Sequence, residues 1–207
     1  ISFISRTEAN WSKAEIGAVT AVVRRASLVL QNFTLKRELA LVRNLDPITE
    51  VCNTEAFDRV LSKRLQRCQE TGTGLGLGII AIVEFEALSS RVALPDLATL
   101  RQRIAATLLQ RLRGKQLLGC LDQARFAVLF EDEAEEDIRD QLLDITAALD
   151  QEVLAPLGDE PRLAASFGFA IFPRDAASAR QLWTMGFQAL ADKMADTSVN
   201  ATKMKSA

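Results

Sequence analysis

Two hydrophobic rhythms alternate through most of this chain. Apolar residues recur at spacings of three and four, as on one face of an α-helix, near 54–71, 95–114, 134–153 and 177–195. Between them lie runs that are continuous or alternate residue by residue, near 76–86, 116–121, 125–131 and 163–172, and these predict strands. The run Leu77–Phe85, LGIIAIVEF, is almost free of polar residues until its end, which places it inside a sheet covered on both faces. Regular exchange of helix and strand is the grammar of an α/β chain.

The first quarter follows another pattern. Residues 1–7, ISFISRT, read as a short strand, and Ser12 followed by Glu15 forms a capping box that opens a long helix. Ile16, Val19, Val23, Ala26, Leu30 and Phe33 make a coiled-coil seam of nearly three heptads, and Leu28, Leu35, Leu39 and Val42 form a second stripe out of phase with it. Two readings follow: a signalling helix that dimerises and transmits torsion, or a helix packed on its own domain. Asp46-Pro47 ends it, because proline disfavours helical conformation in the residue before it. The acidic run EDEAEED at 131–137 stands at a helix start, where it complements the helix dipole.

Composition narrows the function classes. A chain of 207 residues holds one well-buried domain plus an appendage. With 48% apolar and 25% charged residues and no apolar run of the roughly 18 residues a membrane helix needs, no membrane span is expected. A net charge of −2 gives no broad attraction for nucleic acid. Cys52, Cys68 and Cys120 fit neither a disulfide framework nor a zinc site and suit a reducing cytoplasm. The absence of histidine removes Ser-His-Asp and Cys-His catalysis and histidine metal triads from within the chain. The opening at Ile1, with no leader pattern, suggests a piece of a longer protein.

Three segments in order carry a family resemblance. LDPITEVCNTEAF at 45–57 resembles D-P-L-T-G-L-x-N-R-x-x-F, with Asp46, Pro47, Thr49, Asn53 and Phe57 in place. CLDQARFAVLF at 120–130 stands where that family has R-Y-G-G-D-E-F-A-V-L-L, in a register set by Phe126, Ala127, Val128 and Leu129. LAASFGFAIFPRDAASARQLW at 163–183 resembles its S-x-G-x-A strand and Pro-x-Asp turn through Ser166, Gly168, Ala170, Pro173 and Asp175. Residues 45–196 thus resemble a GGDEF, or diguanylate cyclase-like, domain. The fold implied is a central, mainly antiparallel sheet of about five strands wrapped by helices, as in nucleotidyl cyclases and polymerase palms. The N-terminal strand and helix resemble, more loosely, the end of a GAF sensor domain running into its output domain.

Active members of that family condense two GTP molecules, and the resemblance identifies where the parts for this chemistry would sit. Positioning and metal neutralisation of phosphate charge do most of that work. The two signature glycines fall on Asp122 and Gln123, the acidic third position on Ala124, and the acidic fourth on Arg125, which precedes Phe126. Alanine offers a metal no ligand, and arginine cannot shed its charge. The metal-binding Asp at the end of the central strand falls on Glu84 and the second acid on Glu86, so Glu84 is the surviving metal candidate; a solvated carboxylate is the plainer alternative. The guanine-reading Asn falls on Val92, and a second guanine contact falls near Leu97 or Ala98, with Asp96 one residue away. The phosphate-gripping Lys falls on Met194, with Lys193 one residue, or about 100°, around the helix. An inhibitory R-x-x-D site for cyclic di-GMP becomes Arg113-Gly114-Lys115-Gln116, leaving Arg113 and Gln116 as nucleotide-binding candidates beside the alternative of a basic helix end.

The expectation is therefore a degenerate GGDEF domain at 46–196 behind the end of a GAF-like domain at 1–10 and a signalling helix at 11–45, with a tail at 197–207. It would be a cytoplasmic regulatory or scaffolding module with no catalytic residue, bound metal or cofactor. It would bind a protein partner or a second copy through the N-terminal helix. The alternatives are a receptor for cyclic di-GMP or another guanine nucleotide, and an enzyme that uses Glu84 and Glu86 on a different phosphate ester.

Overall fold

The computed structural model describes residues 44–158 and 163–205, with side chains of the last helix to Ala195, and five helical positions, Thr20, Val22, Val23, Arg25 and Ser27. The chain divides at Arg43/Asn44, and the second unit is the one described below. The expected strand at 1–7, most of the seam and its phase shift, and the GAF-like segment lie outside the described residues.

A two-residue strand β1, Cys52–Asn53, leads directly into helix α1, Thr54–Thr71. The Asn53 side chain caps this helix by accepting from the Ala56 N–H, and Gly72, at φ 72°, ends it with an N–H to the Cys68 carbonyl. These caps put the helix on the span that its periodicity predicts. Strand β2, Leu75–Val83, is shorter than expected. Instead of running to 86 the chain turns at Glu84, φ 61°, into a short helix α2, Phe85–Ser89, because Phe85 and Leu88 are spaced to share one buried helical face.

Helix α3, Leu94–Arg111, starts with Pro95 in its first turn and ends three residues earlier than expected, where Leu112 becomes extended. Strands β3, Leu117–Cys120, and β4, Arg125–Glu131, form a hairpin. Helix α4, Glu135–Ala148, has no side-chain cap but carries Glu135, Glu136 and Asp137 in its first turn, where the dipole favours them. The single helix expected over 134–153 instead widens into a π-helical turn at Leu149–Leu154, burying Leu149, Val153 and Leu154. A 3₁₀ turn, Ala155–Leu157, precedes strand β5, Ala164–Phe172, and the long helix α5, Ala179–Lys205.

The five strands lie in the order β1-β3-β4-β2-β5, antiparallel except for the β1–β3 pair. Leu77 and Ile79 of β2 face one apolar layer with Phe57 and Leu61 of α1 and Leu182 and Leu190 of α5. Ile80 and Ile82 face the other, with Ile104 and Leu108 of α3 and Ile138 and Leu142 of α4. Coverage on both faces explains the unbroken apolar run of β2, which is buried from Leu75 to Ile82. This is the sheet-and-helix architecture that the resemblance implies. Gly168 lets α5 lie directly on β5, since a Cβ there would collide with the Leu190 nitrogen and the Gly186 carbonyl.

Candidate functional site

The C-terminal end of β2, the β3–β4 hairpin tip and the middle of α5 enclose an open groove of about 850 Å³. Glu84 and Glu86 stand at one wall, Asp122, Ala124 and Arg125 at another, and Phe187, Leu190 and Met194 form an apolar third. The structure thus brings Glu84, Glu86, Asp122, Ala124, Arg125 and Met194, of the positions singled out in the sequence, around one groove. Gln123 is exposed at the tip, and Phe126 is fully buried beneath it as part of the core. Val92 packs against the α3–α4 layer, Leu97 is buried there, and Asp96 is exposed on the first turn of α3. None of the three lines the groove. Lys193 does not either; its ammonium sits over the Phe167 ring at the edge of the sheet.

The hairpin tip is built without glycine and without a positive φ. Asp122 does the work: its Oδ1 accepts from the N–H groups of Ala124 and Arg125, both at 2.9 Å, and its Oδ2 accepts from Arg125 Nε at 2.6 Å. Arg125 also stacks its guanidinium over Phe187, 5.4 Å from the ring centroid. Asp122 and Arg125 therefore close the tip on itself, and Phe187 ties it to α5.

Metal donors are poorly matched here. A divalent cation of the magnesium type needs several oxygen ligands. Of the carboxylates at the groove, Asp122 is committed to Arg125 and two N–H groups, and the facing position offers Ala124 and the cation of Arg125. Glu84 and Glu86 stay exposed at the other wall. Among the described residues no three of the His, Cys, Asp and Glu side chains come together as a metal site. The donor set does not fit a bound metal.

Behind the tip lies Arg101, which in the sequence is one charge among several on an amphipathic helix. Only 8% exposed, it points its Nη2 at both oxygens of Asp46 (3.4 Å), at Cys120 Sγ (3.2 Å) and at the Asp122 carbonyl (3.5 Å). Its Nε finds no partner among the described residues. Asp46 itself closes a turn, accepting from the N–H groups of Ile48 and Thr49 and from the Thr49 hydroxyl. Burial pushes its pKa up, but these bonds and the Arg101 charge outweigh burial and hold it below the usual carboxylate value. Burial dominates at Cys120 and raises its pKa despite Arg101, so its thiol stays protonated at neutral pH.

The Arg113–Gln116 segment lies apart from the groove, between α3 and β3. Arg113 is exposed. Gln116 is engaged internally: its Oε1 accepts from the Arg113 N–H at 2.7 Å, its Nε2 donates to Glu133 at 2.9 Å, and it exchanges bonds with the buried Gln141 at 2.8 Å.

This sheet order, with a hairpin tip facing the end of a buried strand, defines a nucleotidyl cyclase-like class of domain. The sequence matches the family described as "Diguanylate cyclase, GGDEF domain" over residues 43–197, and the chain belongs to the GGDEF family. Solved structures agree in fold. The coiled coil and GGDEF domain of DgcB from Caulobacter crescentus, in complex with c-di-GMP, superposes with a TM-score of 0.69 at 21% identity, covering 83% of this chain and 93% of that one. Diguanylate cyclase SiaD from Pseudomonas aeruginosa, in complex with its activator SiaC, gives 0.66 at 19% identity, covering 86% and 69%. The GGDEF domain of FimX from the same organism gives 0.64 at 17% identity, covering 72% and 93%. No curated protein sequence matches the chain.

Proposed function

We propose that this GGDEF domain no longer condenses GTP and serves as a regulatory or scaffolding module. The observation that carries the reading is the hairpin tip, where Asp122 and Arg125 neutralise each other and place a guanidinium in the groove beside Ala124. Met194 puts an uncharged side chain on the α5 wall, and Val92 is spent on core packing. Under this reading the fold is kept for its surface and for the preceding helix, whose described Val22 and Val23 are exposed. The partners envisaged are a second copy, met through the preceding helix, or a separate protein, as in the complex of SiaD with its activator SiaC. No helix among the described residues is long and apolar enough to cross a membrane, in keeping with work in the cytoplasm. Purified protein incubated with GTP and magnesium or manganese should give no guanine nucleotide product, and detection of cyclic di-GMP would overturn the proposal.

A second reading, a receptor for cyclic di-GMP, rests on the exposed Arg113 and on the ligand bound to DgcB. The internal bonds of Gln116 count against it, since that amide is already used. Calorimetric titration with cyclic di-GMP and GTP separates the two readings. Altered phosphate-ester chemistry at Glu84 and Glu86 has the weakest support, because neither carboxylate has a hydrogen-bonding partner to orient it as a base among the described residues.

A further inference from the structure

The outer edge of β5 has an opening that the groove does not use. Antiparallel pairing, with Ile79 opposite Gly168, makes successive N–H groups of β5 point alternately toward β2 and outward. Two bonds mark the outward set: Ala165 N–H donates to Asp150 Oδ1 at 2.6 Å, and Ile171 N–H donates to Asp175 Oδ2 at 2.9 Å. Phe167 and Phe169 share that parity. Their N–H groups face outward between the two carboxylates and have no hydrogen-bond acceptor among the described residues.

A cleft of about 320 Å³ opens at this gap. Arg139 and Leu143 of α4 line it from one face of the sheet and Lys193 of α5 from the other, with Phe167 and Phe169 between them. The Arg139 guanidinium lies 5.5 Å from the Phe169 ring centroid, and the Lys193 ammonium 3.2 Å from that of Phe167. Among the described residues no acidic side chain lines the cleft. Glu135, one turn away on α4, pairs with Arg139 through Nη2 alone and also holds Arg174, and Asp175 holds Arg174 and the Ile171 N–H. Burial lowers the Lys193 pKa, and the Arg139 charge lowers it further, so the two cations sense each other.

We propose that this part of the β5 edge receives an extended acidic segment of a partner protein, which adds about four residues as a short strand. Its main chain meets the outward groups of Phe167 and Phe169, its carboxylates meet Arg139 and Lys193, and its apolar side chains lie on the two rings. The domain's own side chains show the chemistry, since a carboxylate accepts the outward N–H at either end of the gap. A second copy is a poor occupant, because two-fold pairing of this edge sets the cations of one chain against those of the other. Asp150 and Asp175 limit the length of any added strand, so the edge is open to a short segment and closed to unlimited pairing.

The test is titration of the isotope-labelled chain with acetyl-Glu-Val-Glu-Val-Glu-amide and with its Lys counterpart, read at the backbone amides. The expected result is a response at Phe167 and Phe169 to the acidic peptide alone. Arg139→Glu and Lys193→Glu should each weaken it about tenfold while leaving the melting temperature unchanged. Amide exchange in the unaltered protein should be faster at Phe167 and Phe169 than at Ala165 and Ile171, and should slow at the first pair when the acidic peptide binds. Silence of those amides at millimolar peptide, an equal response to the Lys peptide, or shifts confined to the groove would overturn the proposal. So would shifts at the same amides on raising protein concentration without peptide, which would assign the edge to a second copy.

Discussion

The turns at Asp46 and Asp122 use the same local device for different ends. Each aspartate folds back to accept backbone N–H groups two and three residues ahead, and each faces an arginine. At Asp46 the partner is the buried Arg101, brought in from α3; at Asp122 the partner is Arg125, three residues on in the same hairpin. The first turn is tied into the framework, and the second is a self-contained loop at the edge of the groove. Arg101 touches both, through the Asp46 carboxylate and the Asp122 carbonyl. The framework thus holds the hairpin tip in position from behind.

The comparison breaks most sharply at Arg101. Arg101→Met leaves the Asp46 carboxylate without its cation and should cost about 3 kcal/mol in urea unfolding. An equally stable variant would show that the pair contributes nothing. Acid should act next. Asp46 has a lowered folded-state pKa, so its contribution is present above the unfolded value of about 3.9 and is lost as pH falls through the folded one. Asp46→Asn should flatten the stability profile below about pH 4, and an unchanged acid limb would contradict this assignment. The smallest effect belongs to the tip: Asp122→Ala should cost about 1 kcal/mol, since water replaces much of what an exposed turn loses. A loss as large as that of Arg101→Met would place both turns in the framework.

Much of this fold is legible in the sequence because burial sets period. Helix α1 occupies its predicted span, and β2 declares its two-sided burial through LGIIAIV. The misses are local backbone events with little compositional signature. Glu84 enters the left-handed region inside an apolar run, so the strand and α2 read as one element. β1 has two residues, too few to show a period, and the π turn keeps the apolar spacing of a helix while changing its pitch.

The groove positions are found by register with the family, whereas Arg101 is hidden. In LRQRI it reads as one charge among several on an amphipathic helix, and only the packing of α3 against the Asp46 turn shows it facing inward. Likewise Gln116 reads as a free amide until Glu133 and Gln141 meet it from later in the chain.

The contact at Gly168 bears on mutational tolerance. Core positions such as Leu77 or Ile104 can exchange among aliphatic residues of similar volume at a modest loss. Position 168 has no such neighbours in sequence space, because every side chain begins with the carbon that would strike the backbone of α5. Substitution there should therefore cost far more than at Leu77 or Ile104, whatever the incoming side chain.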